Sequence, residues 1–127
     1  MNAPEAPRSA TAVVVAGDEE TRVLLRGLLR LHHFRVDGEA DGVSQALELL
    51  RRHHPSLVVV DVNLAEGTAH ALLAEARKIV PLVRIILVAP ASRPPAASGG
   101  PEPDVTLLRP FRIRQFAEAL TPSVAHP

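Results

Sequence analysis

At 127 residues the chain is long enough for one domain with a real core and too short for two of ordinary size. Its 14 basic and 14 acidic side chains cancel, so no global charge points to nucleic acid or an anionic membrane. Cysteine is absent, which excludes disulfides and thiol chemistry and fits a reducing compartment, and no apolar stretch approaches the roughly 20 residues of a membrane span.

Residues 1–10 carry Pro4 and Pro7 and lack an apolar signal core, so they read as a flexible arm on a cytoplasmic protein. Residues 11–16 (Thr-Ala-Val-Val-Val-Ala) form a β-branched run without alternation, the pattern of a strand buried on both faces. Gly17-Asp18-Glu19-Glu20 follows, and acids there suit the start of a helix. Val23, Leu24, Leu28 and Leu31 then recur at helical spacing, with Arg22, Arg26 and Arg30 expected on the other face. Residues 34–36 give a weak second strand. Asp41-Gly42 opens a second helix with Val43, Ala46, Leu47 and Leu50 inward, and Pro55 ends that unit. The strongest strand is 57–60, four consecutive Leu and Val residues that run into Asp61. Leu72, Leu73 and Ala76 mark a third helix, and 84–89 a fourth strand.

The rhythm then breaks. Residues 91–103 hold four prolines and the pair Gly99-Gly100. Each interior proline costs a helix about 3 kcal/mol, so an irregular loop is expected there. Residues 105–108 are a fifth strand, Arg109-Pro110-Phe111 a turn and 113–120 a last helix. Alternating strands and helices call for an α/β fold: a flavodoxin-like, doubly wound five-stranded parallel sheet, its fourth helix replaced by the Pro/Gly-rich loop. The expected domain is 11–121, with 122–127 a tail or the start of a linker.

A carboxylate at the carboxyl end of an apolar strand stands where open α/β sheets place their chemistry. With the stretch 57–64, Ala40-Asp41-Gly42 and Arg109-Pro110-Phe111, the chain resembles the response-regulator receiver domain, the phosphoacceptor module of two-component signalling. The resemblance covers nearly all of 11–120. It implies Asp61 as the phosphoacceptor position. It also implies two acids ending the first strand to hold Mg²⁺, a Thr or Ser ending the fourth strand, and a Lys ending the fifth. Phosphoryl transfer needs the carboxylate held in line and charge on the equatorial oxygens neutralised, and one carboxylate alone seldom holds Mg²⁺.

Against that pattern, Ala16 and Gly17 vacate the acidic pair, Ala89 replaces the hydroxyl and Arg109 replaces the Lys. Thr106 stands where the family often has a switching aromatic. Asp18 and Glu19 are the acids able to rescue the pair if the first loop shifts. The simpler expectation is a structural ion pair between Asp61 and Arg109, whose planar fork suits a carboxylate. The adjacent His32-His33 and His53-His54 suit solvated helix ends better than a metal site. No Gly-x-Gly-x-x-Gly, Gly-Lys-Ser/Thr or nucleophile elbow is present.

The resulting expectation is an atypical, non-enzymatic pseudo-receiver in a phosphorelay pathway, acting by protein–protein interaction with no cofactor and no metal. The expected partner is a regulatory protein, a histidine kinase or the chain's own output domain, with homodimerisation through the 105–120 face as a further option. Neither direct nucleic-acid binding nor membrane contact is expected. One alternative is a conventional receiver phosphorylated on Asp61 by a histidine kinase, with Mg²⁺ as cofactor. A second is a small-ligand sensor using an apolar hollow at the strand ends beside Asp61.

Overall fold

Strands rich in Val and Ile pack best where both sheet faces are covered. In the computed structural model, which describes residues 10–95 and 100–121, five such strands form one sheet. They are β1 (Thr11–Val15), β2 (Arg35–Ala40), β3 (Leu57–Asp61), β4 (Arg84–Pro90) and β5 (Val105–Arg109). Every adjacent pair is parallel and the order is β2-β1-β3-β4-β5. This is the flavodoxin-like doubly wound order, in which the topological switch lies between β1 and β3. The helices are α1 (Glu19–Leu31), α2 (Val43–His53), α3 (Ala69–Ile79) and α4 (Ile113–Leu120). The expected arm (all but its last residue), the tail at 122–127 and loop positions 96–99 lie outside the described residues.

Period-two alternation splits the core in two. Val13, Val15, Val58, Val60, Ile85 and Leu87 face α2 and α3. Val14, Val59, Ile86, Val88 and Leu107 face the other way, against Leu25, Leu28 and Leu29 of α1 and Phe116 of α4. Each fully buried side chain of this kind stabilises the fold by about 1.5–3 kcal/mol relative to exposure.

Two local expectations are corrected. The inward face of α1 is Leu25, Leu28 and Leu29, whereas Val23, Leu24 and Leu31 are exposed. The helix is leucine-rich enough to offer two faces, and its arginines decide between them. Arg22 Nη1 donates to the Ala16 carbonyl at 2.7 Å, and Arg26 Nη1 donates to Glu39 Oε2 at 2.6 Å. Both arginines therefore lean toward the sheet edge, and of the three only Arg30 is exposed. The second strand runs over Arg35–Ala40 rather than 34–36. It is an edge strand with a bulge opposite Ala12/Val13, and it carries Asp37 and Gly38 where an apolar pattern would have revealed it.

Between β4 and β5 no helix is present among the described residues. The return of the loop is fastened instead by Asp104. Its N–H donates to the Ile85 carbonyl at 2.8 Å, while its Oδ2 accepts the Ile85 N–H at 2.7 Å and Arg77 Nη2 at 2.9 Å. Leu87 and Thr106, paired in register, therefore share a stretch of sheet beside α3 that no crossover helix covers.

Candidate functional site

The site is built at the carboxyl ends of the strands. Asp61 closes β3, is 1% exposed, and is the one buried charged residue among those described. A buried carboxylate needs partners. Arg109, closing β5, supplies two: Nη1 lies 3.2 Å from Oδ2 and Nη2 donates to Oδ1 at 3.3 Å. The Asn63 N–H adds a third contact, to Oδ1 at 3.2 Å. The guanidinium thus reaches both oxygens, as the sequence led us to expect. Its distances exceed the 2.7–2.9 Å or so of a tight charge-assisted bond. The Arg109–Pro110 peptide is cis.

Ala16 is fully buried, and its N–H donates to the Ala40 carbonyl at 3.0 Å. Gly17 is held against the β3–α3 loop, its N–H donating to the Asn63 carbonyl at 2.8 Å. A Cβ added there would stand 2.9 Å from that oxygen and 3.0 Å from the Ala65 nitrogen. Both obstacles are backbone, so no acidic side chain fits without moving the loop. At Gly17 the loop backbone, not open space, stands where a side chain would begin.

That loop is fixed from its other side too. Ala65 N–H donates to the Asp41 carbonyl at 2.8 Å, and Val43 N–H to the Glu66 carbonyl at 3.0 Å. Gly42, at the N-cap of α2, has no side chain to accept an amide, and Glu66 Oε1 takes the Ser44 N–H at 3.1 Å in its place. Gly67 has φ +78°, and Val43 occupies the space a Cβ would need. Sequence reasoning missed Glu66 and Gly67; an acid-glycine pair shortly after the strand was the available signal.

Asp18 does not join Asp61. It is the N-cap of α1, with Oδ2 accepting the Thr21 N–H at 2.9 Å and the Thr21 hydroxyl at 3.0 Å. Those bonds, the backbone one foremost, hold its carboxyl below the usual carboxylate range. Glu19 is exposed in the first turn of α1. Ala89 is buried near the end of β4 and pairs in register with Leu108, while Thr106 is exposed on β5. His32 and His54 sit at the C-terminal caps of α1 and α2.

The Mg²⁺ that such a fold implies does not fit these residues. It needs several hard oxygen ligands. Here Gly17 brings none, Asp18 caps a helix, Asp61 lies in the arginine fork, and the Asn63 carbonyl receives the Gly17 N–H. Among the described residues no group of three or more His, Cys, Asp or Glu side chains is gathered as ligands. No described helix is long and apolar enough to cross a membrane.

Compared with models of known protein families, the chain matches none. It is 32% identical over 66 residues to the chemotaxis protein CheY of Bacillus subtilis (strain 168), a match covering 52% of this chain and 55% of that protein. The match therefore spans about half the length of that relative. Among solved structures, a CheY-like receiver domain from Methylobacillus flagellatus aligns with TM-score 0.78 at 18% identity, over 88% of this chain and 96% of that one. The signal receiver domain of an HD domain-containing protein from Pseudomonas fluorescens Pf-5 aligns at 0.79 and 24%, over 89% and 92%. A Burkholderia pseudomallei response regulator with a phosphorylated aspartic acid, calcium and citrate aligns at 0.75 and 19%, over 90% and 68%. Strand order and these alignments give the chain the fold of response-regulator receiver domains, with Asp61 closing the central strand, and the matched segment is similar to CheY.

Proposed function

We propose that this receiver domain signals by protein–protein recognition, without metal-dependent phosphorylation and without enzymatic activity of its own. The observation that carries the reading is the fork of Arg109 on both oxygens of Asp61. An arginine brings a permanent charge, so the pair holds the two strand ends together in an arrangement that elsewhere would depend on a phosphoryl group. Ala89 offers no hydroxyl and Thr106 no aromatic ring, so a relay from hydroxyl to ring has neither end. A binding partner must therefore be selected by a standing surface. The 105–120 face, with Leu108 and Ile113 exposed, is the surface we assign to it. The partner is a regulatory protein of the cytoplasm: a histidine kinase, the chain's own output domain or a second copy.

The rival reading is a conventional receiver phosphorylated on Asp61, and the Burkholderia structure supports it to the extent that the same fold carries a phosphorylated aspartic acid there. Incubation with acetyl phosphate and Mg²⁺, followed by intact mass, separates the two. We expect no added phosphoryl group. A gain of one, lost in Asp61→Asn, overturns the proposal.

A further inference from the structure

The uncovered stretch of sheet beside α3 is not flat. Val62, Ala69, Leu73 and Leu87 floor an open cavity of about 440 Å³, and Pro95, Pro101 and Pro103 stand on its wall. Thr68, His70, Glu102 and Thr106 supply its polar atoms. This volume falls within the roughly 300–1,000 Å³ of small-molecule sites, and an apolar lining with a few convergent polar groups is their usual chemistry. Asp104 keeps the cavity from collapsing, because it ties the returning loop both to β4 and to Arg77 of α3.

From this chemistry we infer that the cavity is a binding site for a small planar aromatic amine. The pyrrolidine rings of three prolines present broad C–H surfaces that suit the face of an aromatic ring. The phenylalanines are elsewhere, since Phe34, Phe111 and Phe116 all pack in the opposite layer, and His70 is the aromatic ring among the described lining residues. Among the described lining residues Glu102 is the one fixed charge, with no Arg or Lys beside it. A cationic head is attracted and a carboxylate repelled, while Thr106 brings a hydroxyl to the lining. Asp61 itself does not line the site, although its chain neighbour Val62 does.

The probe is tryptamine, titrated into the ¹⁵N-labelled full chain and followed by amide chemical shifts. Saturable shifts are expected at Ala69, His70, Leu73 and Thr106, with indole weaker and indole-3-acetate weaker still. Glu102→Gln, an exposed change that leaves the fold alone, is expected to weaken tryptamine about tenfold and to leave indole unchanged. Thr106→Phe, which fills the cavity from its floor, is expected to abolish binding of both. No saturable shift at millimolar tryptamine overturns the inference. So do shifts confined to residues outside the cavity, indole-3-acetate binding as well as tryptamine, or tryptamine affinity unchanged in Glu102→Gln.

Discussion

At Gly17 a missing side chain lets the loop after β3 close onto β1, whereas at Thr106 a short side chain helps leave the sheet open beside α3. The same kind of residue has opposite consequences because the backbone nearby differs. The loop at 62–68 is held by Asp41, Val43 and Ser44 through backbone bonds and Glu66, so it can rest against a glycine. The β4–β5 crossover has no helix among the described residues and is held chiefly at its return, by Asp104. Small residues at strand ends are thus not evidence of a pocket; what approaches them decides.

The largest expected effect comes from returning an acid to the closed end. Gly17→Asp drives a Cβ to 2.9 Å from one backbone atom and 3.0 Å from another, and neither can retreat without losing its own hydrogen bond. Overpacking of this kind costs about 2–3 kcal/mol, read as a lower urea midpoint at unchanged slope. Full stability together with protection by Mg²⁺ would show the closure to be soft and the contrast between the two regions to be false.

Next in size is the asymmetry of the ion pair. Arg109→Ala strands a carboxylate that is 1% exposed. Breaking a buried pair costs about 3–5 kcal/mol, and we expect about 2 because the contacts are long and Arg109 is partly solvated. Asp61→Asn leaves a guanidinium that can turn to water, and about 1 kcal/mol or less is expected. Equal losses in the two variants, measured by urea unfolding, would mean that Asp61 is hydrated in solution.

Strands β1, β3 and β4 were legible in the sequence because parallel, doubly covered strands write themselves as unbroken apolar, β-branched runs, 57–60 being the plainest case, whereas the edge strand β2 carries Asp37 and Gly38 and was placed too short. The Asp61–Arg109 pair was legible too, because the receiver resemblance sets both residues at strand ends and the arginine fork suits a carboxylate; β4 lies between their strands, and the length of Arg109 spans it. The face of α1 was not. Leu24, Leu25, Leu28, Leu29 and Leu31 satisfy two helical stripes, and the choice is made by Glu39, a residue on another strand. Nor was the closure at Gly17 legible, because it depends on how a loop 46 residues later lies. The cavity beside α3 was not legible either, for the same cause: composition announces smallness, and only the fold says what fills the space.

On the open side, Asp104→Ala tests whether the clasp stands in for the absent helix. The variant removes the acceptor of the Ile85 N–H and of Arg77. A loss of about 1–1.5 kcal/mol is expected, with faster hydrogen exchange at Ile85. Unchanged exchange there would assign the closure to the prolines alone.

The smallest effect belongs to Asp18, and pH isolates it. Its carboxyl is held below the ordinary value of 3.8 by the Thr21 N–H and hydroxyl. The folded value therefore lies under the unfolded one. The stabilisation is complete above the unfolded value and fades as pH falls from about 3.8 through the lower folded value. Asp18→Asn keeps a cap acceptor and cannot titrate, so the two proteins should match near neutrality and the parent should lose stability more steeply below that point. Millimolar Mg²⁺ should leave both profiles where they are, because Asp18 Oδ2 is engaged by Thr21 and the Arg109 guanidinium holds Asp61. If Mg²⁺ instead shifted the parent and not the variant, Asp18 would be leaving its helix for the strand ends, and the closed end would be a metal site after all.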